Sequence, residues 1–300
     1  MNFSSRRSFN EPSDSYTQMD ALQLGKFLNS HLGPTLEKLG IWPTTRLTYG
    51  GQSTRVSAAE FVPKVMQLAS KYMDLIAYHG YDCQYNCTDS RMKYDKIADL
   101  AKKYPSKELW MTEICYAYNG DDLRCKFAWL LDKCVDYPRN PALAPPLPRR
   151  DFADGVTWGH RIVREVQAGA SGWIYWNLLL DTKGGPFNLS PKHQDGPRNY
   201  QHPVVIVEPD KGDFHLTGLY YFLGHFSKYV RNGHKRVGTL DSALQEEVSA
   251  VAFVNDGDFP PSYVIQLVNR GSSPQKVNLF MDDSFSQIEI PAYSITTATW

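Results

Sequence analysis

The stretch "ELWMTEICYAYNG", residues 108–120, decides how the rest of the chain is read. Side chains alternate along an extended strand, so Leu109, Met111, Glu113 and Cys115 share one face and Trp110, Thr112 and Ile114 the other. Neither face reads as solvent-exposed, and the strand runs into polar loop residues at Asn119, Gly120, Asp121 and Asp122. An acid near the C-terminal end of a strand buried on both sides is where α/β barrels place catalytic groups. The other reading of Glu113 is a structural carboxylate paired with a nearby Arg or Lys, because a fully buried, unpaired Glu is rare.

Working outward, strands and helices alternate. Before Glu113 come "YMDLIAYHGYD" as a strand and a helix near residues 91–103. Earlier still, a helix opens at Ser57, where "SAAE" reads as a capping box closed by Glu60, with Val62, Val65, Met66 and Ala69 as its apolar stripe. "TRLTYGGQS" is a short strand ending in a Gly-Gly turn. Thr17 to Leu39 is helical, with Leu24, Phe27, Leu28, His31 and Leu32 at helix spacing and an interruption at Pro34. After Glu113, "DYPRNPALAPPLPR" holds five prolines and reads as an extended loop. A helix at about 153–168 then leads into "SGWIYWNLLLD", a near-continuous apolar strand. The alternation is that of a parallel sheet or barrel.

The pattern changes after Asp213. One helix, with Leu216, Leu219, Tyr220, Leu223, Phe226 and Val230 on its stripe, precedes strands only: "EVSAVAFVN", "SYVIQLVNR", "QKVNLFM" and "QIEIPAYSITTATW". Those predict an antiparallel β-sandwich. The expected domains are therefore 1–230, α/β, and 231–300, all-β.

Composition bounds the function. The 300 residues carry 32 Lys+Arg and 32 Asp+Glu, so nothing electrostatic favours nucleic acid as a partner. Aromatic content of 13%, with 18 Tyr and 7 Trp, suits sugar-stacking clefts and a large core alike. No run of 18 apolar residues spans a membrane, and "MNFSSRRSFNEPS" lacks the apolar core of a signal peptide. Sequons at Asn2, Asn86 and Asn188 fit a secreted protein. The five cysteines, at 83, 87, 115, 125 and 134, leave one unpaired in an oxidising compartment, and their spacing is not that of a zinc site. Closeness in sequence favours Cys83–Cys87 and Cys125–Cys134 as pairs. No metal or other cofactor is expected.

A second acid, Glu11, sits in "FNEPS", 102 residues before Glu113. On a barrel that spacing places the two on strands three positions apart, facing across the C-terminal mouth, and two carboxylates so placed suit glycoside hydrolysis. "FNEPS" resembles the Asn-Glu-Pro acid/base motif of the retaining (β/α)₈ glycosidases. With "WMTEICY", "IAYHGY", "GWIYWNLLLDTKGGP" and "YYFLGHFSKYVRNGHKRVG", the chain from about Asn10 to Trp300 resembles family 30 of the glycoside hydrolases, glucosylceramidase branch.

The resemblance implies Glu113 as nucleophile and Glu11 as general acid/base, with Asn10 on the sugar 2-OH. His79 and Tyr81 would donate hydrogen bonds to Glu113, Trp176 would wall or stack on the glucose, and Cys115 would be the free cleft thiol. It implies a β-glucoside or glycolipid substrate, presented at a membrane surface or by a lipid-presenting activator protein, and a lysosomal or secreted location. It also implies an N-terminally truncated chain, a partial (β/α)₈ TIM barrel holding strands 4–8 and inactive by itself. The residues before Glu11, rich in Ser and Arg, match a buried strand poorly. Tyr175 stands where the family usually has Asp, which leaves the sugar preference open. A non-catalytic remnant binding carbohydrate or a partner is the reading from another class. β-Xylosidase and β-1,6-glucanase are the other activities of the family.

Overall fold

The computed structural model describes residues 19–49, 51–82, 89–114, 150–181, 203–238, 247–258, 260–281 and 284–300. The readings of Asn10, Glu11, all five cysteines, the three sequons and the proline-rich loop lie outside these residues.

The first helical region begins at α1 (Ala21–Phe27), where Asp20 and Gln23 form a reciprocal cap: the Gln23 N–H donates to Asp20 (2.8 Å) and the Asp20 N–H to the Gln23 side chain (3.0 Å). Pro34 does not interrupt it, contrary to expectation. The helix widens into a π-turn over Leu28–Leu32, with the Gly33 N–H reaching back to the Leu28 carbonyl, and continues as α2 (Gly33–Lys38). A regular turn would clash with the proline ring, and the wider turn relieves that clash. Ala21, Gly25 and Leu28 are buried here, whereas Phe27 and His31 are exposed.

The next helix, α3 (Arg55–Ala69), starts two residues before the expected Ser57. The cap is Thr54, whose hydroxyl accepts the Ser57 N–H (3.0 Å) while the Ser57 hydroxyl accepts the Thr54 N–H (3.1 Å). Ser57 thus closes the box as the third residue of the helix rather than opening it. The stripe Val62, Val65, Met66 and Ala69 is buried as expected.

Three strands, β1 (Leu75–His79), β2 (Glu108–Glu113) and β3 (Gly172–Trp173), pair in parallel in the order β1-β2-β3. The segment around Thr48 and Gln52 bridges β1 in parallel from its other side. Helices α4 (Tyr94–Lys103) and α5 (Arg150–Gln167) precede β2 and β3, so each parallel strand follows a helix, as in a (β/α)₈ barrel. The core between helices and sheet includes Val62, Val65, Ile76, Tyr78, Ile97, Leu109, Met111 and Trp158.

"SGWIYWNLLLD" is not one continuous strand. The N–H groups of Ile174 and Trp176 donate to the Met111 (2.8 Å) and Ile114 (3.0 Å) carbonyls. From Asn177 onward the chain changes partner: its carbonyl and that of Leu178 accept from Val204 and Val205, and β4 (Leu179–Asp181) pairs with β5 (Val205–Glu208). The Trp176–Asn177 peptide is cis. Strand β5 turns back at Pro209–Gly212 into β6 (Asp213–Leu216), a hairpin the sequence reading missed. Leu216 therefore lies on a strand, and α6 (Gly218–Tyr229) buries Leu219 and Phe222 while Tyr220 is exposed.

The C-terminal strands form an antiparallel sheet in the order β12-β9-β8-β7, namely Ser294–Thr299, Ser262–Asn269, Val248–Asn255 and Lys235–Val237. A hairpin of β10 (Gln275–Met281) and β11 (Ser284–Ile290) covers one face. "QIEIPAYSITTATW" thus splits at Pro291–Tyr293 into two strands. Val248, Ala250 and Leu267 meet Val277, Leu279 and Ile290 of the hairpin. Val251, Phe253 and Val268 point the other way, onto Val156 and Val163 of α5 and Phe222 of α6. That double covering explains why "EVSAVAFVN" reads as continuously apolar.

Polar bonds cross the seam between helices and sandwich. The Gln167 amide donates to the Ala250 carbonyl (2.8 Å), and the Gln266 amide to the His225 carbonyl (2.9 Å). His160 on α5 bridges Ser249 through Nδ1 (3.0 Å) and Asp89 through Nε2 (2.9 Å). A neutral imidazole carrying its proton on Nε2 fits: it donates to the carboxylate and accepts the serine hydroxyl.

Candidate active site

Strict alternation would leave Glu113 on the buried face with Leu109 and Met111. The structure departs from that. Tyr78 pairs with Met111 but His79 pairs with Glu113, so β2 carries one extra residue, Thr112, against β1. A bulge of this kind re-aims the side chains that follow it. Ile114 joins Leu109 and Met111 in the core, and the Glu113 side chain stays 33% exposed at the C-terminal end of β2.

The structure brings three of the expected site residues together. The Tyr81 hydroxyl donates to Glu113 Oε1 at 2.9 Å. His79 Nε2 lies 3.8 Å from Glu113 Oε2, too far for a hydrogen bond but close enough to interact electrostatically. The two rings meet edge to face, 5.9 Å apart. Burial holds the His79 imidazole below its ordinary range, and the Glu113 carboxylate pulls the other way. No Lys or Arg pairs with Glu113 among the described residues.

The end of β1 is held tightly. Gly51 faces His79: a Cβ there would come within 2.5 Å of Nε2 and 3.2 Å of the Thr112 hydroxyl. The His79 N–H donates to the Gln52 carbonyl (2.7 Å), the Gly80 N–H to the Glu113 carbonyl (3.0 Å) and the Tyr81 N–H to the Ser53 carbonyl (3.1 Å).

Trp176, three residues past β3 and bonded to the Ile114 carbonyl, is 43% exposed, on the same side as the exposed Ile174. It belongs to no core cluster among the described residues. Tyr175 points the opposite way, stacking on Trp173 (6.0 Å) and meeting the buried Trp158 of α5 edge-on (5.3 Å).

Behind this site lies a buried charged network that the sequence reading did not identify. Arg55, 2% exposed, donates from Nε to Glu165 Oε1 (2.9 Å) and from Nη2 to the same oxygen. Its Nη1 binds the Asp82 carboxylate and the Gly80 carbonyl (3.2 Å). The Tyr78 hydroxyl donates to Glu165 Oε2 (2.9 Å). Burial pushes the Asp82 carboxyl up while Arg55 pulls it back, and burial and Glu165 together push the Tyr78 phenol up. The signal available in sequence was Glu165 itself, a charge at helix spacing from the apolar Trp158 and Ile162.

A second polar cluster, Glu208, Asp213 and His215 on the β5–β6 hairpin, has metal-ligand residue types, but Lys211 already pairs with Glu208 (2.6 Å).

Comparison with known proteins finds two consecutive family matches. The glycosyl hydrolase family 30 TIM-barrel domain matches residues 149–230, and the family 30 β-sandwich domain matches residues 233–298. The mouse lysosomal acid glucosylceramidase is 30% identical over 147 residues, 49% of this chain and 26% of that protein. A Caenorhabditis elegans protein provisionally named glucosylceramidase 3 is 25% identical over 279 residues, 91% of this chain and 45% of its own length. Among solved structures, SrfJ from Salmonella typhimurium superposes with a TM-score of 0.70 at 19% identity, covering 94% of this chain and 53% of that one. The endo-β1,6-glucanase BT3312 gives 0.68 at 20%, covering 94% and 54%. The chain spans less than half the length of these curated relatives. Two consecutive domain models of glycosyl hydrolase family 30 thus match the second half of the chain, where the last of the parallel strands is followed by the sandwich.

Proposed function

We propose that the protein hydrolyses a β-glucoside of the glucosylceramide type with retention of configuration, Glu113 acting as nucleophile. The observation that carries this is the placement of Glu113: at the C-terminal end of a parallel strand, partly open to solvent, with a tyrosine hydroxyl on one oxygen and a histidine near the other. The carboxylate attacks the anomeric carbon as the bond to the leaving oxygen breaks, and the leaving oxygen takes a proton from a general acid. Water then attacks the glycosyl-enzyme, and the same acid, now a base, accepts its proton. Glu11 in "FNEPS" is the residue we assign to that second role, with Asn10 on the sugar 2-OH, from the motif alone. Tyr81 orients Glu113 and stabilises its charge by donating a hydrogen bond, and His79 lies beside the other oxygen. Trp176 is the sugar platform and Cys115 the cleft thiol in this reading.

The glucosylceramidase names of the mouse and nematode relatives support the choice of substrate. A lysosomal or secreted location and lipid presentation by a membrane or an activator protein follow from the same reading. No helix among the described residues is long and apolar enough to cross a membrane. A β-1,6-glucan is the second reading, favoured by 24% identity over 229 residues to the endo-1,6-β-D-glucanase of Neurospora crassa.

Incubation with a 2-fluoro-β-glucoside followed by peptide mapping tests the assignment. Glu113 is expected to carry the label, and a label on another carboxylate overturns its role. Parallel assays with fluorogenic β-glucoside, β-xyloside and β-1,6-glucan separate the substrate readings.

A further inference from the structure

The Arg55 network converges on the two residues that flank Tyr81. Nη1 of Arg55 binds the Gly80 carbonyl (3.2 Å) and the Asp82 carboxylate, on either side of the tyrosine. The Arg55 backbone N–H takes the other oxygen of Asp82 (2.9 Å), and the Val56 N–H reaches it at 3.5 Å. Tyr81 itself is bonded through its N–H to Ser53, two residues before Arg55. Residues 80–82 are therefore fastened to the first turn of α3 and to Ser53 just before its cap.

Arg55 cannot swing away to release them. Glu165 grips its Nε and Nη2 and is held in turn by the Tyr78 hydroxyl, and the guanidinium lies 4.9 Å above the Tyr94 ring. We propose that Arg55, through Asp82 and the Gly80 carbonyl, is a positioning residue that holds the Tyr81 hydroxyl on Glu113. The proposal rests on the reading of Glu113 as nucleophile. A planar fork reaches two acceptors and a partner carboxylate at fixed angles, which a lysine ammonium cannot do.

The test uses the 300-residue chain labelled with ¹³C at the hydroxyl-bearing carbon of its tyrosines. Tyr81→Phe assigns the resonance, and Glu113→Gln marks where it moves when the contact changes. Arg55→Lys and Asp82→Asn are expected to shift or broaden the Tyr81 signal in the same sense. Asp82→Asn keeps the size of the side chain and an acceptor for the helix N–H groups, so it decides the matter if Arg55→Lys does not fold. A Tyr81 signal unmoved in folded Asp82→Asn overturns the proposal.

With an aryl β-glucoside and the chain extended upstream, the clamp variants are expected to lose roughly tenfold in kcat with KM unchanged, since displacement of a positioned group by a fraction of an ångström costs rate rather than binding. Asp82→Asn added to Tyr81→Phe should cost nothing further; additive losses overturn the proposal. A fluoro-glucoside label away from Glu113, with the Tyr81 signal still responding to Asp82→Asn, removes the catalytic reading and leaves the clamp standing.

Discussion

Glu113 and Glu165 each accept a tyrosine hydroxyl at 2.9 Å, and both tyrosines come from the same short stretch, Tyr81 and Tyr78. They differ in everything else. Glu165 is fully buried and grips Arg55, so its oxygens are occupied by the fold. Glu113 is one-third exposed, has no cation paired with it among the described residues, and faces His79, whose burial favours the neutral ring. The structural reading that the sequence left open for Glu113, a carboxylate paired with Arg, describes Glu165 instead. The difference teaches that the bond to a tyrosine does not mark a catalytic acid. What separates these two acids is burial and whether a cation already occupies their oxygens.

The sharpest way to break this comparison is to neutralise each acid in turn. In the chain extended upstream, Glu113→Gln is expected to lower β-glucoside turnover by roughly 10⁴-fold or more with little change in melting temperature. Glu165→Gln should do the reverse in kind, destabilising the fold by about 3–5 kcal/mol in chemical denaturation because Arg55 loses one of its two buried counter-charges. A stable Glu165→Gln, or an unfolded Glu113→Gln, erases the distinction.

A smaller effect comes from the wall behind His79. Gly51→Ala places a methyl within 2.5 Å of His79 Nε2, so the ring must shift from its present place beside Glu113. Steady-state kinetics are expected to show roughly tenfold lower kcat. Unchanged kcat would mean that His79 contributes nothing from that position.

The smallest expected effect compares two histidines, His79 near the site and His160 at the seam. Burial holds His160 below its ordinary range, with Arg270 and Arg164 adding to the effect and Asp89 opposing it. The folded state thus prefers the neutral ring, and the unfolded state binds the proton more readily. His160's contribution to stability is complete above the ordinary value of 6.5 and is lost as pH falls below it. Thermal melts of the wild type should drop by a few degrees between about pH 7 and pH 5, and His160→Gln should flatten part of that drop. An equal drop in both assigns the pH dependence elsewhere, with His79 and His225, also held low by burial, as the next residues to vary.

Much of the architecture was legible because it rests on local periodicity. The stripe Val62–Val65–Met66–Ala69, the strands carrying Tyr78 and Glu113, and the change from helix–strand alternation to strands alone all appear as hydrophobic patterns. Helix ends were less legible: Thr54 and Ser57 are both capping residue types, and the choice between them was made by Asp82, which binds the Arg55 N–H from 27 residues away. The β5–β6 hairpin was missed because its strands are four residues each and half-exposed, too short for a period to show.

By itself, then, the sequence determined the element types and the sandwich that follows the parallel strands, and its resemblance to family 30 drew attention to Glu113 with His79 and Tyr81. Those follow from side-chain chemistry repeated at fixed spacing and from short motifs. Only the tertiary structure decided which carboxylate is locked and which is open. That depends on an extra residue in β2 turning Glu113 away from Leu109 and Met111, and on Arg55 meeting Glu165 across 110 positions of chain. A bulge shows itself only against its partner strand, and a buried ion pair only where two distant segments converge.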